Sequence, residues 1–321
     1  MIARTWFGIG ANVWENFFLM YVDDGWATAL GPDFALQLLA LVLLLKAFRV
    51  PLSVRKTRGG TEVDWVGYRI DVKESMLGVT EQRRLALIRW CQEVSSGQMV
   101  VVRDLRSHLG RLIFVAGPLQ HIRPFLGPAF AWVAAVPGGA AMVAPLTVRA
   151  PMKWIGLLLD KFPQKACAPR PARDTRELFR VDAKAEGTDI AVIGGWATGK
   201  GEDTKKAAWF SHRVTAEEYP WVFEKGRPFK VIAALELLAV LYGIVLLVPS
   251  GDCRDALVRV PISAGTDNQG NDFLVRKMLT TKSPLCFVAH GAGEPAHGPA
   301  LGSAPGLAPQ GHERRGGRLH E

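Results

Sequence analysis

The sequence predicts a mixed α/β (α+β) chain, on three observations. An apolar strand–turn–strand followed by a helix opens it, and helical periodicity fills the middle. Strand, strand, strand, helix, strand then follows in that order. With 321 residues, 49% hydrophobic and 21% charged, the chain has the size and apolar content of about two globular domains.

Phe17 to Val22 is an apolar and aromatic run, Asp23-Asp24-Gly25 supplies turn chemistry, and Trp26 to Leu30 resumes the apolar pattern. A helix is expected from Asp33 to Phe48, with Pro32 near its start and Val50-Pro51 ending it. Gly59-Gly60 separates two extended pieces, the second being VDWVGYRIDV, which holds Trp65, Gly67 and Tyr68. Thr80 can cap a helix carrying Leu85, Leu87, Ile88 and Cys91. A further helix runs through Leu105, Leu109, Leu112, Ile113 and Val115. Gly and Pro thicken between Val136 and Pro151, and KACAPRPARDTR (165–176) reads as an exposed basic linker and the main domain boundary.

Beyond the linker, ELFRVDAKAEG reads as a strand ending at Asp182, TDIAVIGGWAT as a second and WFSHRV as a third. An apolar helix around Glu236 comes next, then VRVPISAGTDN, a short strand ending near Asp267. The segment from Ala289 is rich in Gly, Pro and Ala and has almost no large apolar residues, so it cannot add to a core. The expected divisions are 1–78, 79–164, 165–178, 179–288 and a disordered 289–321.

The formal net charge of +9 suits a polyanionic partner such as nucleic acid. The four cysteines, Cys91, Cys167, Cys253 and Cys286, form no CxxC pair. Neither a zinc site nor a disulfide framework is indicated, and an intracellular location fits. The N-terminus carries no signal-peptide pattern. Leu36 to Leu45 is too short to span a bilayer; Val231 to Val248 is long enough, but Glu236 inside it favours a buried helix of a soluble protein. No Gly-rich phosphate loop or dinucleotide fingerprint is present.

The sharpest local signal is Tyr21-Val22-Asp23-Asp24, two carboxylates on a turn held by apolar strands, which can reach a hard divalent ion. Taken alone the tetrapeptide is an ordinary hairpin turn. With the helix after it, then LSVRKTRGG and the WVGY strand, the segment resembles the palm of reverse transcriptases. That resemblance implies that Asp23 and Asp24 bind metal and that Lys56, on a basic strand, contacts phosphate. It also makes Trp65, Gly67 and Tyr68 the strand that grips the primer end. Arg55 and Arg58, with Lys46 and Arg49, fit a phosphate-facing surface. Ser107 to Trp132 resembles the thumb and connection segment that follows the palm in retroelements.

A second set is Asp182, Glu236 and Asp267. A lone Glu in an apolar helix is costly unless something pairs with it, and nearby aspartates would repel it unless a cation neutralises the cluster. The bland alternative is three unrelated carboxylates. RVDAKAEG, ALELLAVL and GTDNQGN resemble, in order, the motifs of the RNase H fold, with Asn268 and Gln269 following the third carboxylate as in several retroelement versions. The resemblance implies Mg2+ or Mn2+ bound by Asp182, Glu236 and Asp267, with an RNA–DNA hybrid or primer–template as partner. The implied parent is a retrotransposon RNA-directed DNA polymerase with ribonuclease H, and upstream polyprotein segments would complete it. A non-catalytic nucleic-acid-binding remnant is the rival reading.

The palm resemblance covers only the second half of that domain, because the family's other metal-binding aspartate lies upstream of YxDD. Polymerase activity is therefore expected to be lost. The family's fourth nuclease carboxylate, near a C-terminal helix, is also missing. Reading one nucleotide later from about Ala289, allowed codons for AHGAGEPAHG spell LMELASQLM, and those for LAPQGHERRGGRLHE spell WLPRDTNEEADAFT. The first is helix-like and the second resembles an RNase H ending. A frameshift near Val288 is the expectation, and sequencing the gene checks it: the shifted frame must encode both segments, or the idea is wrong.

Overall fold

A computed structural model describes residues 17–21, 24–29, 31–166, 178–197, 207–224, 226–248, 264–265 and 269–293. The chain divides into two units, 1–83 and 84–321.

In the first unit, β1 (Phe17–Tyr21) and β2 (Asp24–Thr28) pair antiparallel from Phe17↔Thr28 to Tyr21↔Asp24. The strand–turn–strand expectation is met, with residues 22–23 between the strands and outside the described residues. The expected helix is α1 (Phe34–Ala47), and none of its residues is buried. The basic strand expected at Lys56 is instead a 3-10 turn, Val54–Lys56. The single extended piece expected at VDWVGYRIDV is also corrected. It folds as a hairpin of β3 (Glu62–Trp65) and β4 (Tyr68–Asp71), followed by β5 (Met76–Val79) paired with β4. Val66 and Gly67 have φ of 51° and 85°, the positive pair that a two-residue hairpin turn matched to strand twist requires.

The helix α2 (Glu81–Ser95) begins one residue after Thr80. In the second unit, β6 (Met99–Val101) pairs with β7 (Ala141–Val143), and α3 (Val102–Val115), α4 (Gly127–Ala135) and α5 (Leu146–Lys161) form a helical core. Leu105, Leu109, Leu112, Met152, Ile155 and Leu159 are fully buried there. Burial also pushes the Cys91 thiol up to about 12. The Gly/Pro-rich stretch does not remain a loop throughout: α5 starts at Leu146 and carries Pro151 inside it. A short strand, β8 (Gln164–Ala166), precedes the linker, whose residues 167–177 lie outside the described residues.

The sheet of this unit has the order β11-β10-β9-β12, built from β9 (Phe179–Glu186), β10 (Ile190–Ala197), β11 (Ala208–Arg213) and β12 (Ala264–Gly265). The first three strands are antiparallel and β12 runs parallel to β9. The chain between β11 and β12 therefore crosses over, as parallel neighbours require. It first forms a short α6 (Pro220–Phe223), then α7 (Ile232–Leu247). Strand β9 does not end at Asp182 but runs on to Glu186, because Phe179, Val181, Ala183 and Ala185 continue one apolar face.

Helix α7 is apolar all round because it is covered on more than one side. Leu235 and Ala239 pack on the sheet, while Leu237 meets Leu274 of α8 (Gln269–Lys277) and Ala289. Pro228–Leu247 is long and apolar enough to cross a membrane by length and composition; in this fold Leu235, Leu237 and Ala239 are in the core. At the C-terminal part of α7, Tyr242 stacks on His212 of β11 and shares a 2.8 Å hydrogen bond between hydroxyls with Tyr219. Burial first, then that bond, pushes the Tyr242 phenol upward.

The break expected near Ala289 falls within described residues, and 294–321, the rest of the expected tail, lie outside them. The helices α9 (Leu285–Val288) and α10 (His290–Gly293) follow one another, Ala289 is buried, and His290 stacks on Phe125 at 4.8 Å.

Two outcomes follow. A side-chain carbon added at Gly243 would lie 2.6 Å from the Phe179 ring, so Gly243→Val should destabilise the fold by about 1–3 kcal/mol through overpacking, read as a lower urea midpoint. Burial lowers the His290 pKa to about 4, so the neutral ring is the form that packs. The unfolded chain then binds the extra proton first: the ring's contribution is full above the ordinary value near 6.5 and lost as pH falls towards about 4. Melting temperature should drop across that window, and His290→Gln should flatten the drop.

Candidate functional site

In the second unit the pleat decides where Asp182 stands. Phe179, Val181 and Ala183 face the core under α7, so Asp182, between Val181 and Ala183, projects from the opposite, exposed face. Its cross-strand partner is Gly194, which adds no side chain there. A cavity of about 560 Å3 opens at this point, lined by Arg180, Val181, Asp182, Gly194, Gly195, Trp196 and Gly265. One Asp182 oxygen, Oδ1, accepts the Ala183 N–H at 2.7 Å.

Glu236 lies in the second turn of α7, half-buried. Its Oε2 accepts a 3.1 Å hydrogen bond from Asn271 Nδ2, which also donates to the Ala233 carbonyl at 3.0 Å. Asn271, on α8, is 1% exposed, the one buried polar residue among the described residues. Sequence reasoning noted Asn268 and Gln269 but missed Asn271. The available signal was an amide on the buried side of a short helix, a few residues past the third carboxylate.

Asp267 and Asn268 lie outside the described residues, and Gln269 begins α8. Gly265, two positions before Asp267, lines the same cavity as Asp182. Among the described residues no three His, Cys, Asp or Glu side chains gather around one point. Asp182 lies on β9 and Glu236 on α7, the helix that covers the opposite face of that strand.

In the first unit Asp24 opens β2, exposed, opposite Tyr21; Asp23 lies outside the described residues. Two residues on, Trp26 stacks on Trp65 with ring centroids 6.0 Å apart and planes inclined by 29°. This contact sets the acidic hairpin beside the Trp65–Tyr68 turn. Gly67 sits under the Arg83 guanidinium, whose Nη1 would be 2.2 Å from an added Cβ, and its carbonyl accepts the Thr80 N–H at 3.3 Å. Tyr68 is half-buried, while Arg55, Lys56 and Arg58 are exposed around the 3-10 turn.

Comparison with protein-family models, with curated proteins and with solved structures finds no match to this chain.

Val66 is a β-branched residue at positive φ, a conformation that costs on the order of 1–3 kcal/mol. Val66→Asn would give the Asn-Gly pair that such turns favour. Unfolding of the variant should occur at higher temperature; an unchanged or lower midpoint would show that Val66 contributes packing that outweighs its strain.

Proposed function

We propose that this chain is a piece of a retroelement RNA-directed DNA polymerase whose second unit is an RNase H-type nuclease, acting on the RNA strand of RNA–DNA hybrids. The observation that carries the reading is the setting of Asp182. It lies on the strand next to a parallel β12, with an apolar crossover helix bearing Glu236, and Gly265 lines the same cavity two residues ahead of Asp267. RVDAKAEG runs along β9, ALELLAVL lies in α7, and the GTDNQGN motif starts at Gly265 of β12.

In this reading Asp182, Glu236 and Asp267 hold Mg2+ or Mn2+. When bound, the divalent cation activates water and stabilises charge on the scissile phosphate. Asn271 fixes the Glu236 carboxylate, and Gly194 keeps the space beside Asp182 open to the substrate backbone. The first unit contributes the remains of a polymerase site: Asp23 and Asp24 as metal-site residues, Trp65, Gly67 and Tyr68 at the primer end, and Arg55, Lys56 and Arg58 towards phosphate of a primer–template. Residues 79–164 correspond, in this reading, to the helical thumb and connection region. The place of action is intracellular, cytoplasmic or nuclear, without a membrane.

A second reading is favoured by one observation. Asp182 projects from the face of β9 opposite α7, and Glu236 is engaged by Asn271. A chain held in that arrangement would bind nucleic acid without cleaving it.

Cleavage of a labelled RNA–DNA hybrid with Mg2+ or Mn2+ separates the two. The assay takes the full chain and a version carrying the shifted-frame ending, each also as Asp182→Asn and as Glu236→Gln. Loss of cleavage on the order of 100-fold or more in either variant supports the nuclease. Folded proteins of both versions that bind hybrid but leave it uncut would favour the binding remnant.

A further inference from the structure

One face of the sheet is covered by α7; the other is laid out in rows. Directly paired residues share a face, so Arg180, Trp196 and Trp209 form one row, Asp182, Gly194 and Ser211 the next, and Lys184, Val192 and Arg213 the third. On this face Trp196 is 42% and Trp209 73% exposed, and Arg180, Lys184 and Arg213 are exposed with them. Two neighbouring tryptophans left in water forgo the burial that such rings ordinarily find, the mark of a surface that meets something else. The small middle row leaves a trough between the outer rows, and the cavity of about 560 Å3 lies at its β9–β12 end.

We propose that this sheet face, uncovered among the described residues, binds single-stranded nucleic acid, with bases stacked on Trp196 and Trp209 and phosphates met by Arg180 and Arg213. Aromatic rings on a flat support beside cations suit unpaired bases, whose faces are free to stack, whereas a duplex hides those faces. A second protein sheet fits less well, because it would have to cover Arg180, Asp182, Lys184 and Arg213 and strip their water. The face carries three cations against Asp182 and Glu186, the latter 2.9 Å from Lys184, and the chain's net charge of +9 adds attraction at longer range. The site needs no metal and no hydrolysis, so it stands whether or not the nuclease reading does.

The test is fluorescence anisotropy of labelled oligo-dT and oligo-U with the full chain, in EDTA so that nothing is cleaved. Binding that weakens with salt is expected. Trp209→Ala should weaken it about tenfold, the doubly substituted Trp196→Ala/Trp209→Ala chain further, and Trp209→Phe should retain most of it. Arg213→Glu should weaken both oligonucleotides alike. Trp209 is so exposed that its replacement leaves the core alone, and it decides the matter if the double variant melts early. Unchanged affinity in Trp209→Ala overturns the proposal, as does tighter binding of an RNA–DNA hybrid that ignores both tryptophans. So does concentration-dependent self-association, seen by sedimentation, that disappears in Trp209→Ala.

Discussion

The second unit depends on how closely α7 can lie on β9. At Gly243 the helix backbone comes so near that the Phe179 ring and a Val181 methyl fill the place of a side chain. That contact orients the sheet. It commits Phe179, Val181, Ala183 and Ala185 to the interior, and a strand with period two must then send Arg180, Asp182 and Lys184 outward. It also holds the crossover that lets β12 lie parallel to β9. A slip of one residue in β9 would bury a carboxylate under an apolar helix and expose a phenylalanine, so register here is fixed by large opposing costs.

Much of this was legible in the sequence. The hairpin at Tyr21–Asp24, the helices carrying Leu87 and Leu109, and the three strands before an apolar helix all come from apolar periodicity, which reports burial directly. What was misread has local causes. VDWVGYRIDV looks extended because its residues favour strands; the positive φ of Val66, unusual for a β-branched side chain, together with that of Gly67 turns it into a hairpin. Strand β9 continues past Asp182 because, in a sheet covered on one face, a charged residue is simply the outward position. Helix α5 was obscured by Pro151 within it, a residue that ordinarily argues for a boundary.

The candidate site was legible as a set of residue types but not as an arrangement. Sequence order could nominate Asp182 and Glu236; it could not say that the helix and the acidic position occupy opposite sides of one strand. Nor could it reveal that Asn271 supplies the hydrogen bond that makes a half-buried Glu236 tolerable. Aromatic content likewise carries no orientation. Trp65 and Trp26 meet within the first unit, while Trp196 and Trp209 face water, and only strand register separates these fates.

Helix α1 has a consequence outside structure and chemistry alike. Phe34, Leu36, Leu39, Leu43 and Phe48 stand exposed along and just beyond it. Apolar stretches of this kind are what a cell's quality-control machinery engages, and chains that display them are triaged continuously between chaperones and proteases. The abundance and lifetime of this protein in a cell would then be governed less by the sheet of its second unit than by whatever keeps that one helix out of sight.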